Sequence, residues 1–287
     1  MNRNDLFTRD KYVLLDGGMG TMLQARGLKL GARPELLSIT EPEMLTGIHR
    51  EYVQAGADIV YANTFGASAK KLEGSGHSVA QVISASLACA RRAVQGTGAL
   101  VALDVGPLGE LLEPAGTLKF EDAYRCFQEI VIAGAQADVI VVETMTDLYE
   151  VKAAILAAKE NSTLPVMVSM SFEQNGRSFT GCTVESFAAT AVGLGADAVG
   201  INCSLGPVEI LPLAQRLCQS VPKNFPVFVK PNAGLPRADG SGYDITPEMF
   251  RDAVAQYLPL GICMLGGCCG TTPQYIGYLA QITKGKA

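Results

Sequence analysis

Histidine is almost missing from this chain: its 287 residues hold two, His49 and His77. Neither stands at the end of an apolar run. No serine, histidine and carboxylate fall at matching positions, so a hydrolytic triad is excluded. Charge is scarce as well, at 18% of residues with a formal net charge of −5. There is no basic run or stripe, which argues against nucleic acid as the main partner. Low charge beside 48% hydrophobic residues argues against disorder. No run reaches the roughly 18 consecutive apolar residues of a membrane span. Met1 to Lys11 is polar and lacks the apolar core of a secretory signal. A cytoplasmic location with no membrane association is expected.

Cysteine, in contrast, is present eight times: Cys89, Cys126, Cys182, Cys203, Cys218, Cys263, Cys268 and Cys269. In a large cytoplasmic chain these stay reduced. Each is then core filler, a metal ligand or a reactive thiol.

A short pattern recurs along the chain. Ala55-Gly56-Ala57-Asp58, Ala135-Gln136-Ala137-Asp138 and Leu194-Gly195-Ala196-Asp197 each precede an apolar run. The runs close on Asn63, Glu143 and Asn202. Continuous apolar runs bounded by turn signals suit buried parallel strands. Eight such runs are expected, near Tyr12–Asp16, Ile59–Asn63, Leu100–Val105, Val139–Glu143, Val166–Ser171, Ala198–Cys203, Val227–Pro231 and Ile262–Gly266. Between them lie helical stretches. Thr40-Glu41-Pro42-Glu43 predicts a capping box before the second strand, and Asp147 predicts a cap after the fourth. Thr246-Pro247 and Thr272-Pro273 place proline just inside helix starts. Strand and helix alternating eight times predict one (β/α)8 barrel over residues 1–287. A doubly wound open sheet is the alternative, but it usually has fewer strands. Active sites of barrels form at the C-terminal ends of the strands. The irregular stretch Pro231–Ile245 belongs to that face.

The polar residues at those ends are Asp16, Asn63, Asp104, Glu143, Ser171, Asn202, Cys203, Lys230, Asn232, Cys268 and Cys269. Strands six and eight flank strand seven, so their backbones lie roughly 10 Å apart. A cysteine side chain reaches about 3 Å and a Zn–S bond adds about 2.3 Å, so Cys203, Cys268 and Cys269 are able to share a zinc. Successive strand residues face opposite ways, so Cys268 and Cys269 need an irregular backbone. Gly266, Gly267 and Gly270 permit one. Three thiolates leave one tetrahedral position for an incoming thiol, which suits alkyl transfer to sulfur. Two other readings stand beside this one: buried filler thiols, or a glycine-rich phosphate loop after the eighth strand.

Asp16-Gly17-Gly18-Met19-Gly20-Thr21 ends the first strand. Glycines let a backbone approach a ligand, and a helix starting near Thr21 would offer free N–H groups to a carboxylate. Asp16 and Glu143 would hold an ammonium group. Together they predict a site for an α-amino acid; as a pattern, a plain turn reads the same. Lys230 allows a Schiff base in an aldolase or lyase, but a structural ion pair is the reading favoured here.

These motifs together resemble the homocysteine S-methyltransferases. The resemblance rests on Leu14–Gln24, Asn63-Thr64-Phe65-Gly66-Ala67, Glu143-Thr144, Gly200-Ile201-Asn202-Cys203 and Gly266-Gly267-Cys268-Cys269-Gly270, spread in order over nearly the whole chain. It implies zinc held by Cys203, Cys268 and Cys269, with Asn232 approaching the metal when substrate is absent. It also implies homocysteine held by Asp16, Gly17, Gly18, Thr21 and Glu143, with Asn202 placed in the same set. Asn202–Pro207 and Lys230–Pro236 look most like the homocysteine-binding module of cobalamin-dependent methionine synthases, and less like betaine- or S-methylmethionine-dependent members. A methylcobalamin or other methyl-corrinoid donor follows from that likeness. Folate, cobalamin and reactivation modules do not fit in 287 residues. The chain is then an excised module, or an enzyme served by a separate corrinoid protein. Two alternatives remain: another small thiol as acceptor, and a zinc-binding docking subunit without turnover of its own.

Overall fold

The recurring aspartate has a specific task. In a computed structural model describing residues 6–7, 11–29, 31–237 and 242–285, each of the three pins two strands together at their N-terminal ends. Asp58 Oδ2 accepts from Leu14 N at 2.8 Å, Asp138 Oδ2 from Val101 N at 2.9 Å, and Asp197 Oδ2 from Val166 N at 2.8 Å. The backbone N–H of each aspartate returns a bond to the carbonyl of the same partner residue. A cation closes each unit: Lys284, Arg91 and Lys159 respectively. The motif thus satisfies backbone groups left over where one strand starts beside the next.

Eight parallel strands result: β1 Val13–Leu14, β2 Ile59–Tyr61, β3 Leu100–Val105, β4 Val139–Met145, β5 Val166–Met170, β6 Ala198–Asn202, β7 Val227–Lys230 and β8 Met264–Leu265. Their order is β1-β8-β7-β6-β5-β4-β3-β2, and the bridge Leu15↔Ile59 joins the two ends. The sheet therefore closes into a (β/α)8 barrel, and the open-sheet alternative falls. Helices α3 Pro42–Ala55, α4 Val79–Val94, α5 Phe120–Ala133, α6 Leu148–Asn161, α7 Val184–Gly193, α8 Pro207–Ser220, α9 Pro247–Val254 and α10 Pro273–Lys284 alternate with the strands. Two shorter helices, α1 Met19–Ala25 and α2 Leu37–Thr40, lie between β1 and α3.

Period-two alternation divides the apolar residues. Val13, Leu15, Ile59, Tyr61, Leu100, Ala102, Val139, Val141, Met167, Ala198, Phe228 and Met264 form a plug inside the barrel. The residues between them, such as Leu14, Val60, Val101, Ile140, Val168, Val199 and Leu265, pack in the layer shared with the helices.

Some local expectations fail. The Thr40 capping box does not form: α3 has Glu41 at its cap with no side-chain bond, and the Thr40 hydroxyl donates to Leu36 O. Residues 37–40 already form α2, so the threonine is spent on that helix. Asp147 caps α6 through Tyr149 N, and Thr246 caps α9 through Met249 N. Thr272 makes no such bond, although Pro273 opens α10 as expected. Of the stretch Pro231–Ile245, residues 238–241 lie outside the described set, as does most of Met1–Lys11.

The aspartate device is testable. Asp138→Ala removes the charged acceptor of Val101 N and Arg91, and the loss is expected to cost about 2 kcal/mol in urea unfolding. The Asp197 side chain is 37% exposed against 13% for Asp138, so Asp197→Ala should shift the unfolding midpoint less. Equal midpoints for wild type and both variants would refute the assignment.

Candidate metal centre and substrate cavity

Above the plug, the inward register continues with polar residues: Asp104 follows Ala102, Glu143 follows Val141, and Lys230 follows Phe228. They surround a cavity of about 310 Å³ at the C-terminal ends of the strands. That is the low end for small-molecule sites.

At one side stand the three cysteines predicted from sequence. The Sγ atoms of Cys203, Cys268 and Cys269 all lie within 4.8 Å of one another, with Cys203 and Cys269 3.7 Å apart. Sulfurs around a tetrahedral zinc at about 2.3 Å lie about 3.8 Å from each other, so the donor set fits that ion. The backbone turns sharply to bring them together. Cys203 and Ser204 both adopt φ 60°, left-handed values rare outside glycine. On the opposite loop Gly270 takes φ 82°. Gly267 has a different use: a Cβ there would meet Thr271 Oγ1 at 2.4 Å, so the loop packs too tightly for any side chain.

The thiols share their charge unevenly. Cys203 and Cys268 donate to Cys269 and hold it at about 3. The Cys268 contact pulls Cys203 down, but Cys269 and burial outweigh it and push the thiol up to about 11. Cys268 is driven well above the usual thiol range by its contacts with Cys203 and Cys269 and by burial. Cys269 therefore ionises most readily of the three, and a cation among the sulfurs would favour loss of the other two protons. The Tyr243 hydroxyl also bonds Cys269, and its ring lies against Gly270.

The other predicted residues divide into two groups. Asp16, Gly17, Gly18, Thr21 and Glu143 line the cavity. Helix α1 begins at Met19 rather than Thr21, so residues 17–21 present a helix start to it. Thr21 Oγ1 also accepts from Gly270 N at 2.9 Å, tying this segment to the cysteine loop. Asn202 and Asn232 lie off the cavity wall. Asn202 Oδ1 accepts from Thr144 N and Ser169 Oγ, while its Nδ2 donates to Thr144 Oγ1 and approaches Cys268 Sγ at 3.9 Å. It restrains Thr144, which follows Glu143 at φ 62° and is strained for a β-branched residue. Asn232 Oδ1 accepts from Cys269 N at 3.1 Å and so braces the ligand loop.

Lys230 occupies the centre. Its Nζ is 3.3 Å from Asp16 Oδ1, 3.4 Å from Glu143 Oε2 and 3.4 Å from the centroid of the Tyr61 ring. Burial alone would neutralise this amine, but Glu143, Tyr61 and Asp16 keep it protonated, well above the usual lysine range. It is the structural ion pair expected, and a protonated amine is no Schiff-base nucleophile. The ammonium that Asp16 and Glu143 hold here is therefore the chain's own. Burial lifts Asp16 to about 6 against the pull of Lys230, and burial also pushes Glu143 above the usual carboxylate range. A phosphate loop fits this acidic cavity poorly, and its cysteines are not idle.

Sequence reasoning named Asp104 without a role and missed Tyr61 and Tyr243. The inward register of β2 and β3 carries the signal for the first two. His49 is fully buried in α3, with neither ring nitrogen bonded among the described residues and its pKa lowered by burial to about 4. It is a neutral core residue outside the site.

Comparison with known proteins agrees with this geometry. The family model described as homocysteine S-methyltransferase matches residues 13–283. Methionine synthase of Mycobacterium tuberculosis is 34% identical over 94% of this chain, and that of Mycobacterium leprae is 33% identical over 94%. The chain spans about a quarter of the length of these relatives, 24% in each case. Among solved structures, the oxidized form of the homocysteine methyltransferase MmuM from Escherichia coli superimposes with a TM-score of 0.83 at 24% identity, covering 98% of this chain and 100% of that one. Its metallated form gives 0.81 at 24% identity over 94% and 96%. At that identity the likeness speaks for the barrel alone. With its family model matched from the first strand to the last helix, the chain belongs to the homocysteine S-methyltransferase family.

Proposed function

We propose that this chain is a zinc-dependent methyltransferase that moves a methyl group from a methyl-corrinoid donor to the thiol of homocysteine, giving methionine. The convergence of three cysteine sulfurs on one edge of an acidic, amino-acid-sized cavity carries the reading. Zinc on these sulfurs would supply the positive charge that keeps an incoming thiol deprotonated at neutral pH. The protein residues do the rest. Asn202 and Asn232 fix the cysteine loops, and Lys230 offsets part of the charge of Asp16 and Glu143 and so weakens their repulsion of a thiolate. Gly18 N is held by Thr271, so the N–H groups of Met19 and Gly20 at the start of α1 would be the donors for a substrate carboxylate.

The rim bears on the donor. Exposed Phe65, Tyr149, Phe179, Val208, Leu235 and Met249 all follow the C-terminal ends of strands. Among the described residues, only Tyr12 and Ile132 are large exposed apolar residues elsewhere. An apolar ring around the mouth suits a macromolecular donor, such as a corrinoid domain on a partner protein or another part of a longer chain. S-methylmethionine and betaine would need no such ring.

Two measurements test the reading. Cys203→Ala, Cys268→Ala and Cys269→Ala should each lose stoichiometric zinc and homocysteine binding while far-ultraviolet circular dichroism stays that of the folded barrel. Full zinc content with normal turnover in all three sinks the metal assignment. For the donor, the double variant Phe179→Asp, Leu235→Asp should lower kcat/KM with a methylated corrinoid protein by about tenfold, the effect of losing roughly 1.4 kcal/mol of docking energy. Rates with free S-methylmethionine should then be negligible in both forms. A wild type that is fast with the small donor and slow with the corrinoid protein reverses the assignment.

A further inference from the structure

Four carboxyl groups line the cavity: Asp16, Glu35, Asp104 and Glu143. Three have partners. Glu35 Oε1 accepts from Gly66 N at 2.8 Å. Asp16 accepts from Tyr61 N at 2.7 Å and shares Lys230 with Glu143. Asp104 is different. Its Oδ1 is buried with no hydrogen-bond partner among the described residues, and the residue is only 7% exposed. The Tyr61 hydroxyl is buried and unpartnered in the same way. Only the ring face of Tyr61 is used, by Lys230. The two residues stand on adjacent strands, Tyr61 pairing with Ala102 two positions before Asp104.

An unpaired carboxyl and an unpaired phenol cost free energy when buried, and native chains leave few such groups. Among the described residues neither Asp104 Oδ1 nor the Tyr61 hydroxyl is tied to the fold, and Asp104 is held through its backbone, which is bonded to Thr64. Burial, Glu143 and the other carboxylates push Asp104 well above the usual carboxylate range. Lys230 is the only basic residue on the described wall, against four carboxyls. The cavity is therefore short of positive charge, and the shortage is at Asp104.

We propose that Asp104, with Tyr61 on the neighbouring strand of the same cavity wall, is the specificity-determining residue that receives the α-ammonium group of the substrate, while Asp16 and Glu143 stay committed to Lys230. This rests on reading the cavity as an amino-thiol site. It replaces the simpler expectation that Asp16 and Glu143 contact the ammonium directly. It also makes the site selective for thiols that carry an amine over thiol acids that lack one.

The test is calorimetric titration of the zinc-loaded full chain with homocysteine and with 4-sulfanylbutanoate, the same thiol acid without the amine. Wild type should prefer homocysteine. Asp104→Asn should weaken homocysteine by about tenfold or more, the loss of one charge-assisted bond, and change 4-sulfanylbutanoate by less than about twofold. The melting temperature of the substrate-free variant should equal or exceed that of wild type, because no structural partner is lost. An unchanged preference in Asp104→Asn overturns the inference, as does a clear fall in melting temperature. So does a preference abolished by Glu143→Gln alone. A wild type that binds neither compound overturns the amino-thiol reading itself and this inference with it.

Discussion

Closing a parallel sheet on itself forces every second residue of every strand toward one axis. All else in this molecule follows from that convergence. Eight strands give a centre just wide enough to be filled by side chains. In the lower part the filling is Val, Leu, Ile, Met and Phe. At the C-terminal rim the same inward positions carry Asp104, Glu143 and Lys230. They meet because the register requires it, not because they are close in sequence. Charged groups so placed are desolvated together, and only mutual pairing makes them tolerable. The Lys230 cluster is that pairing: one ammonium between two carboxylates and over one aromatic face.

The cysteine cluster depends on the same centre. β6 and β8 both hydrogen-bond to β7, and Lys230 ends β7 directly between the cysteine-bearing loops. Cys203 N donates to Lys230 O at 3.1 Å, and Cys268 N donates to Pro231 O at 2.8 Å. The backbone of the lysine segment thus sets the positions of two of the three ligands, while its side chain sets the charge beside them. Left-handed backbone at Cys203 and Thr144 is the strain that this arrangement carries.

Much of this was legible beforehand, for physical reasons. Buried parallel strands read as apolar runs, so the barrel and the rim residues could be placed from sequence. The vicinal pair Cys268–Cys269 among glycines announced an irregular loop. What was illegible depended on side-chain competition. Asp16 and Glu143 read as a site for a substrate's ammonium group, whereas the ammonium between them in the structure is that of Lys230. Asn202 read as a cavity residue, yet its amide is consumed by Thr144, Ser169 and Cys268. Thr40 read as a cap, but an unforeseen short helix took its hydroxyl. Asp104 was visible as a strand-end carboxylate; that its Oδ1 lacks a partner among the described residues is a fact about its neighbours, which no local pattern encodes.

Charge balance joins the two halves of the cavity. Three thiols and four carboxyls face a single lysine, so the protein alone holds too few positive charges to ionise them all. Two deficits follow, in different places. Among the sulfurs, contacts with Cys203 and Cys268 hold Cys269 low, while Cys203 and Cys268 are themselves pushed up. Around Asp104, burial and Glu143 push the carboxyl well above the usual carboxylate range. On the reading proposed above, a divalent metal would answer the first deficit and an ammonium group the second. Both are desolvated, so each cation is favoured most where the opposite charge has no other partner. An amino acid bearing a thiol is a compact molecule with one group for each deficit. On that reading, a cavity of about 310 Å³ lined by both groups would admit one such molecule.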